Sequence, residues 1–582
     1  VTDRPWLRHY PADVDPSVGE IAYRNLPDLL SRSGKQYADE VAFQQVMPNG
    51  MNGALRYRDV ERLSDDFALY LREVAGLDEG DRVAVQMPNC LSYPVVAFGV
   101  LKAGCVLVNT NPLYTPSEMI HQFSDSGARA LVIIDMFADR LDEVLPKTSI
   151  ETVVTVRISE FFPKVIAGII RATQRYWTRT LPDINVEHTM LRDALDAGGK
   201  RRESGSSVET YLDALGLDSI AALQYTGGTT GVSKGAMLSH GNLVANILQT
   251  LAMCGSHIRR GEETVLTALP LYHVFAFTVN LVGFYQVGGH NILIPSPRPP
   301  SNLKRAFENY PLTWLTGVNT LFNALLNERW FVEHPPKNLR ASAAGGMALH
   351  QSVAERWREV TGTPIVEGYG LTETSPVLTF NPLGGTIKDG TIGIPVPSTD
   401  IRCVDDDGNP VPYGQPGELV ARGPQIMQGY WQQPGETEQT LRDGWLHTSD
   451  IAEMDEDGYL RIVDRKNDMI IVSGFNVYPT EIEECIAAVP GVQEAGVVGL
   501  PDAKTGESVR AYVVADEPAP SESEILEHCR TRLAAYKVPR SVEFLDELPK
   551  NPIGKILRKD LRNTVSGSAG DQPGNATGGE EA

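Results

Sequence analysis

The segment YTGGTTGVSKG at residues 225–235 constrains this chain more than any other part of it. Its four glycines let the backbone approach a ligand closely and turn N–H groups toward it. Thr226, Thr229, Thr230 and Ser233 add hydroxyl groups, and Lys234 adds a mobile positive charge. An apolar run at 220–223 leads in, so the loop is expected at the end of a strand. Such a set suits a polyphosphate. It is not a Walker A loop, because Lys234 precedes a glycine instead of following one, and it is not a G-x-G-x-x-G turn. Residues 231–235 also match the G-x-S-x-G elbow of serine esterases, which leaves Ser233 open as a nucleophile. An elbow needs its serine on a sharp strand-to-helix turn, whereas Ser233 comes late in a long loop.

Composition narrows the partners. The 582 residues carry 52 Lys+Arg against 74 Asp+Glu, a net charge of −22. That surface repels nucleic-acid backbones, so any phosphate is gripped locally. The hydrophobic share of 42% is that of a globular protein. Cys90, Cys105, Cys254, Cys403, Cys485 and Cys529 form no CxxC pair and read as scattered reduced thiols. No apolar stretch reaches the ~20 residues a spanning helix needs. The expectation is a cytoplasmic protein, at most peripheral on the inner face of the cell membrane.

Apolar β-branched runs at 82–87, 106–109, 130–134 and 151–156 alternate with helical patterns such as 93–102. This predicts an α/β body with layered, largely parallel sheets. From about residue 472 the rhythm changes to helix at 481–488, strands at 492–498 and 509–514, and helix at 522–535, a compact α+β unit. Residues 196–207, rich in Gly, Ser and charge, read as a loop, and 563–582 read as a disordered tail. In 163–179, Arg171, Arg175 and Arg179 recur every fourth residue, with Val165, Ile166, Ile169, Ile170, Tyr176 and Trp177 largely opposite. That is a basic amphipathic helix, able to lie on a membrane or to pack its apolar stripe on the body.

Further segments follow the loop in order. They are LPLYHVFA at 269–276, AAGGMAL at 343–349, EGYGLTETSP at 367–376, GWLHTSD at 444–450, DRKND at 464–468 and LPKNPIGKI at 548–556. With the loop, they resemble the adenylate-forming superfamily of acyl-CoA synthetases, luciferases and peptide-synthetase adenylation domains, over about residues 20–562. The resemblance implies that Thr226, Gly227, Gly228, Thr229, Thr230, Gly231, Ser233 and Lys234 hold the phosphates of ATP. It places His273 by the substrate carboxylate, Phe277 in the acyl tunnel, and Gly345 and Gly346 in the turn between acyl and adenine pockets. Tyr369 and Gly370 would flank adenine, Thr372 would bond the α-phosphate, and Glu373, with Thr229, would hold Mg2+. Asp450 would bond the ribose hydroxyls and Arg465 would reach ribose or phosphate. Lys555 is the expected catalytic lysine, and Ser473, Gly474 and Phe475 would face coenzyme A.

Two positions depart from the family pattern: Ser449 stands where glycine is usual, and Asn467 stands at the hinge where Lys or Asp is usual. The implied domains are 1–466 for ATP and fatty acid, and 467–562 as a mobile lid. Residues 443–483 and the opening W-L…Y-P-A-D-V at 6–14 are most similar to bacterial long-chain fatty-acid–CoA ligases. The expected reaction joins a fatty acid, ATP and coenzyme A to give acyl-CoA, AMP and pyrophosphate. A medium-chain or aryl acid is the nearest alternative, followed by the esterase built on Ser233 and a pseudoenzyme that binds without making AMP. The resemblance leaves a homodimer open.

Overall fold

The apolar runs form strands and the intervening patterns form helices, in a computed structural model that describes residues 4–226, 233–466, 468–473, 475–502, 504–551 and 554–568, without the side chains of 564–568. Arg82–Gln86, Val106–Thr110, Ala130–Ile134 and Thr152–Val156 are strands, and Ser92–Lys102 is a helix buried along its whole length. Their sheet has seven strands in the order Thr189–Met190, Thr152–Val156, Ala130–Ile134, Arg82–Gln86, Val106–Thr110, Ile220–Thr226 and Lys234–Ser239. All neighbours are parallel except the last pair, which is antiparallel with Thr226 opposite Lys234. A second sheet of nine strands has a parallel centre formed by Ile365–Gly370, Ala341–Ala344, Trp314–Gly317, Thr264–Thr267, His290–Leu293 and Val41–Val46. The α/β expectation with largely parallel sheets is what the chain adopts.

The chain divides into two units. The first comprises Val1–Arg402, Val420–Thr448 and Met454–Arg461; the second comprises Cys403–Leu419, Ser449–Glu453 and the chain from Ile462 onward. The second is therefore discontinuous, where the sequence predicts a single break at 466/467. Its C-terminal part orders the strands Phe475–Val477, Ile470–Val472, Gly506–Ala515 and Val492–Asp502, with Ser541–Phe544 also on Gly506–Ala515. The helices Pro479–Ala487 and Glu522–Arg532 complete this α+β unit. The helix Arg558–Ser568 runs into the segment expected as a tail, and 569–582 lie outside the described residues.

Two further differences from the sequence reading have physical causes. The expected loop at 196–207 is largely helix, Leu191–Glu203. Leu191, Ala194, Leu195 and Gly198 are its buried stripe, at the i, i+3, i+4, i+7 spacing of an amphipathic helix. Gly198 reads as a loop residue in sequence but serves close packing: a Cβ there would lie 1.7 Å from the Asp66 carbonyl oxygen. Arg202 then donates from Nε to Asp66 Oδ1 at 2.7 Å. The second difference is in the basic helix, Lys164–Ala172, which continues as a wider turn over Thr173–Trp177. Its apolar residues do not share one face. Ile170 is buried and Ile166 packs on the core, while Val165, Ile169, Tyr176 and Trp177 are exposed.

All six cysteines are unpaired thiols, and burial pushes Cys90, Cys105 and Cys254 up to about 12. They are packing residues, not nucleophiles. Among the described residues, no helix is long and apolar enough to cross a membrane.

The close approach at Gly198 gives a direct test. Gly198→Leu is expected to destabilise the first unit by about 1–3 kcal/mol through overpacking, seen as a lower melting temperature, while Gly199→Ala, with Asp66 atoms no nearer than 3.7 Å, leaves it nearly unchanged.

Candidate active site

In open parallel sheets, ligands gather at the carboxyl ends of the strands, where the loops begin. Each chemically marked segment of the first unit follows such an end. Ile220–Thr226 runs into the glycine loop, Thr264–Thr267 into the His273 segment, Ala341–Ala344 into Gly345 and Gly346, and Ile365–Gly370 into Thr372 and Glu373.

The glycine loop is closed at its base. Tyr225 donates from its hydroxyl to Asp125 Oδ2 at 2.6 Å, anchoring the incoming strand. Ser233 Oγ donates to the Thr226 carbonyl at 2.6 Å, across the mouth of the hairpin. His121 Nε2 meets the Ser233 carbonyl oxygen at 3.1 Å. The chain then returns as an antiparallel strand, not as a helix, so Ser233 does not occupy a nucleophile elbow. The esterase alternative fails on this geometry. Gly227, Gly228, Thr229, Thr230 and Gly231 lie outside the described residues.

Lys234 and Glu373 meet around a residue the sequence reading missed. The Lys234 ammonium forms a close ion pair with Glu436 and lies 5.4 Å from the centroid of the Tyr430 ring. Tyr430 donates from its hydroxyl to Glu373 Oε1 at 2.7 Å. Burial, with Glu373 alongside, holds that hydroxyl far above the ordinary phenol range, so it stays a donor. The arrangement is pinned by backbone: Met427 N donates to the Glu373 carbonyl at 2.8 Å, Trp431 N to the Gly235 carbonyl at 2.8 Å, and Tyr430 N to Thr437 Oγ1 at 2.9 Å. The available signal was the GYW at 429–431, which reads as a packing motif when taken alone.

The remaining first-unit residues fall into place locally. Thr372 and Glu373 lie in the short helical turn Thr372–Thr374, which Leu371 N and Pro376 O close at 3.1 Å. Gly370 is required there, because a Cβ would come within 1.8 Å of the Pro376 carbonyl oxygen. Tyr369 is half-buried on the strand Ile365–Gly370. A Cβ on Gly345 would stand 3.3 Å from both the Gly368 carbonyl oxygen and the Phe275 ring, while Gly346 has a φ of +82°. His273 Nδ1 accepts from Phe275 N at 3.3 Å, and Phe277 is fully buried in the following helix.

The second unit holds its own cluster. Asp450 is buried on the strand Trp445–Met454, and Arg465 Nε approaches its Oδ1 at 3.3 Å. Ser449 adopts a φ of +59°, the backbone region glycine would fill, so the departure from the family pattern keeps the glycine-like turn. Lys555 sits in a tight turn. Its backbone N donates to Asn551 Oδ1 at 2.8 Å, and Asn551 N donates back to its carbonyl at 2.9 Å. Burial and the guanidinium groups of Arg465 and Arg558 push the Lys555 ammonium down to about 8, against the opposing pull of Asp450 and Asp468. Ser473 has a φ of +51° and donates from N to the Thr505 carbonyl at 2.7 Å. Phe475 is exposed and stacks on Tyr536 at 4.6 Å. Asn467 and Gly474 lie outside the described residues.

Residues 30–431 match the AMP-binding enzyme family and 481–555 match the AMP-binding enzyme C-terminal domain. The chain belongs to the AMP-binding enzyme family. It is 47% identical over 563 residues to a long-chain-fatty-acid–CoA ligase of Escherichia coli O6:H1, covering 97% of this chain and 98% of that protein. Among solved structures, it is similar to ATP-bound MatB from Rhodopseudomonas palustris with a TM-score of 0.79 at 29% identity, over 93% of this chain and 99% of that one. It is also similar to the anthranilate CoA ligase AuaEII in complex with anthranoyl-AMP, with a TM-score of 0.82 at 26% identity, over 94% and 99%. In this cluster the Tyr430 hydroxyl orients Glu373. Tyr430→Phe, which keeps the ring under Lys234, is expected to raise the KM for ATP about tenfold, read by pyrophosphate release, since a hydrogen bond to a charged group contributes about 1.5–3 kcal/mol.

Proposed function

We propose that this AMP-binding enzyme is an AMP-forming long-chain-fatty-acid–CoA ligase. The 47% identity over 97% of the chain to a ligase of that name carries the reading, and the chain's site chemistry supports it. Long-chain acids are favoured over aryl acids because a long-chain ligase is matched at 47% identity, whereas a feruloyl-CoA synthase is matched at 35%.

The residues divide the work. A carboxylate oxygen of the fatty acid attacks the α-phosphorus of ATP, the bond to the bridging oxygen breaks, and pyrophosphate leaves with the electron pair. Little covalent help is needed, so positioning and charge neutralisation dominate. Lys234, paired with Glu436, exchanges that partner for phosphate oxygens when the nucleotide enters. Thr226 and Ser233 fix the base of the loop, and Thr372 faces the α-phosphate. His273 orients the carboxylate, and Gly345 and Gly346 keep a backbone-thin wall between acyl and adenine. Glu373 fits Mg2+, since such an ion on a nucleotide takes one or two carboxylates and phosphate oxygens, and Tyr430 already orients this carboxylate. The bound ion would neutralise charge on the leaving pyrophosphate. Asp450 and Arg465 take the ribose. Lys555 places a positive charge between carboxylate and α-phosphate. A rotation of 467–562 about Asn467 then withdraws Lys555 and brings 473–475 to coenzyme A, whose thiolate attacks the acyl carbonyl and releases AMP.

Two measurements test this reading. Pyrophosphate release with coenzyme A should rise with fatty-acid chain length; equal rates with benzoate would contradict the long-chain reading. Lys555→Ala should lower adenylate formation on the order of 10²–10³-fold, yet leave thioester formation from supplied acyl-adenylate nearly intact. The ammonium form is the active one, and its pKa is lowered to about 8, so adenylation should fall as pH rises through about 8 instead of the 10.5 of a free lysine. The same lowering makes the folded state bind fewer protons than the unfolded chain between those values, so this lysine's stability contribution rises with pH across that window.

The basic helix extends the proposal to peripheral contact with an anionic membrane. Trp177 is 87% exposed, Tyr176 78%, Val165 75% and Ile169 51%, all on one helix and its last turn. Lys164, Arg175 and Arg179 flank them, and no acidic residue occurs from 164 to 179. Apolar side chains rimmed by cations suit a bilayer of acidic headgroups, each Lys or Arg near the surface adding about 1 kcal/mol. They do so on a chain whose net charge of −22 would otherwise repel it. Vesicles of phosphatidylglycerol and phosphatidylcholine should co-sediment the full chain, and Trp177→Glu with Arg175→Glu should cut binding at least about tenfold. Equal binding to pure phosphatidylcholine would contradict the charge argument.

A further inference from the structure

The turn that holds Lys555 leads into the helix Arg558–Ser568, and the first side chain of that helix engages every edge of its guanidinium. Arg558 Nε and Nη2 donate to Glu483 at 3.1 and 2.7 Å, a bidentate fork. Nη1 donates to Asp464 Oδ1 at 3.4 Å and to Asp468 Oδ2 at 3.2 Å. Nη2 also reaches Thr480 Oγ1 at 3.2 Å. The carboxylates are themselves fixed. Asp464 accepts from Thr480 N at 2.8 Å and from Arg465 N at 2.7 Å, Glu483 from Val497 N at 2.8 Å, and Asp468 from Arg562 at 2.9 Å. Burial opposes the charge on Arg558, but Glu483, Asp464 and Asp468 together hold the guanidinium well above its ordinary range.

The location of these partners matters more than their number. Asp464 directly precedes Arg465, and Asp464 and Asp468 bracket position 467 in the sequence. Arg558 follows Lys555 by three residues. One cation therefore fastens the chain just past the lysine to the strand end that carries Arg465, to the turn after it, and to the helix Pro479–Ala487. The other arm of the lysine turn is fastened separately, by Lys550 to Glu494 at 2.6 Å. Between these anchors the turn is closed by Asn551, which bonds Lys555 and Gly554, and by Leu557 N, which donates to the Pro549 carbonyl at 2.8 Å.

We propose that Arg558 is a positioning residue for adenylation, which sets Lys555 against Arg465 and Asp450 by clamping the lysine turn to the segment 464–468. This rests on the ligase reading above. The charges that act on Lys555 are Arg465 and Asp450 on two strands, Asp468 on the turn, and Arg558 on the helix. Removing Arg558 takes away a cation and leaves Asp464 and Asp468 less compensated. Both changes return the Lys555 ammonium toward the ordinary lysine range. A residue that served stability alone would slow both half-reactions together and leave the pH profile of adenylation where it is.

The test uses the full chain, with Arg558→Met and Arg558→Lys. Adenylation is read as fatty-acid-dependent pyrophosphate release without coenzyme A, and the second half-reaction as thioester formation from supplied acyl-adenylate. Arg558→Met is expected to lower the adenylation kcat on the order of 10²-fold, the penalty of a misplaced group, with KM for ATP and fatty acid nearly unchanged. Thioester formation should stay within about threefold, and the alkaline limb of the adenylation profile should move to higher pH. Arg558→Lys keeps the charge without the fork, so it should hold the limb in place and recover part of the rate. If Arg558→Met does not fold, the lysine variant decides, because selective loss of adenylation supports the clamp and equal loss of both half-reactions overturns it. A limb that stays put in Arg558→Met also overturns it. A wild-type chain that forms no acyl-adenylate overturns the ligase reading and this proposal with it.

Discussion

Tyr430 separates two opposite charges that would otherwise neutralise each other. Its hydroxyl bonds Glu373 and its ring lies under Lys234, so the carboxylate and the ammonium are kept near one another without pairing. Lys234 is given to Glu436 instead, a half-exposed carboxylate that solvent can stabilise once a phosphate takes its place. An exposed pair of this kind contributes little, about 0–1 kcal/mol, so exchanging it for a polyphosphate costs little. The first unit thus holds a positive and a negative group at fixed positions, which the proposed reaction assigns to different parts of a nucleotide.

The second unit solves a different problem. A lysine in a Pro/Gly-containing turn would ordinarily be a solvated, mobile surface group. Here a tight turn with two anchored arms holds the Lys555 backbone, and burial, with the neighbouring guanidinium groups, lowers the ammonium's hold on its proton. The entropy lost in closing the turn is taken up in folding, before substrate arrives. The same ordering makes the lysine sensitive to its surroundings, which is why a pH profile reports on it.

Much of this was legible in the sequence. Alternating apolar runs gave the parallel sheets, because buried strands must be apolar on both faces. The glycine-bearing motifs marked the strand ends, because backbone that turns sharply or packs against other backbone excludes a side chain, as at Gly370. Even Ser449, an apparent departure, has a φ of +59°, in the backbone region that glycine favours. What the sequence hid was long-range pairing. Tyr430 and Glu436 lie some two hundred residues from Lys234, and the GYW at 429–431 reads locally as packing. Gly198 looked like a loop signal when its role is close packing against Asp66. The apolar residues of the basic helix divide between core and solvent, which a period count cannot resolve when both faces are apolar. The discontinuity of the second unit is a property of the fold, invisible to a reading along the chain.

The proposed reaction requires reversible formation of an acyl-adenylate before coenzyme A takes part. Isotope exchange between labelled pyrophosphate and ATP measures that step alone. With palmitate and no coenzyme A, label should appear in ATP, and it should not without the fatty acid. Exchange that ignores the fatty acid, or none at all while acyl-CoA is still produced, would contradict a reaction that proceeds through an acyl-adenylate.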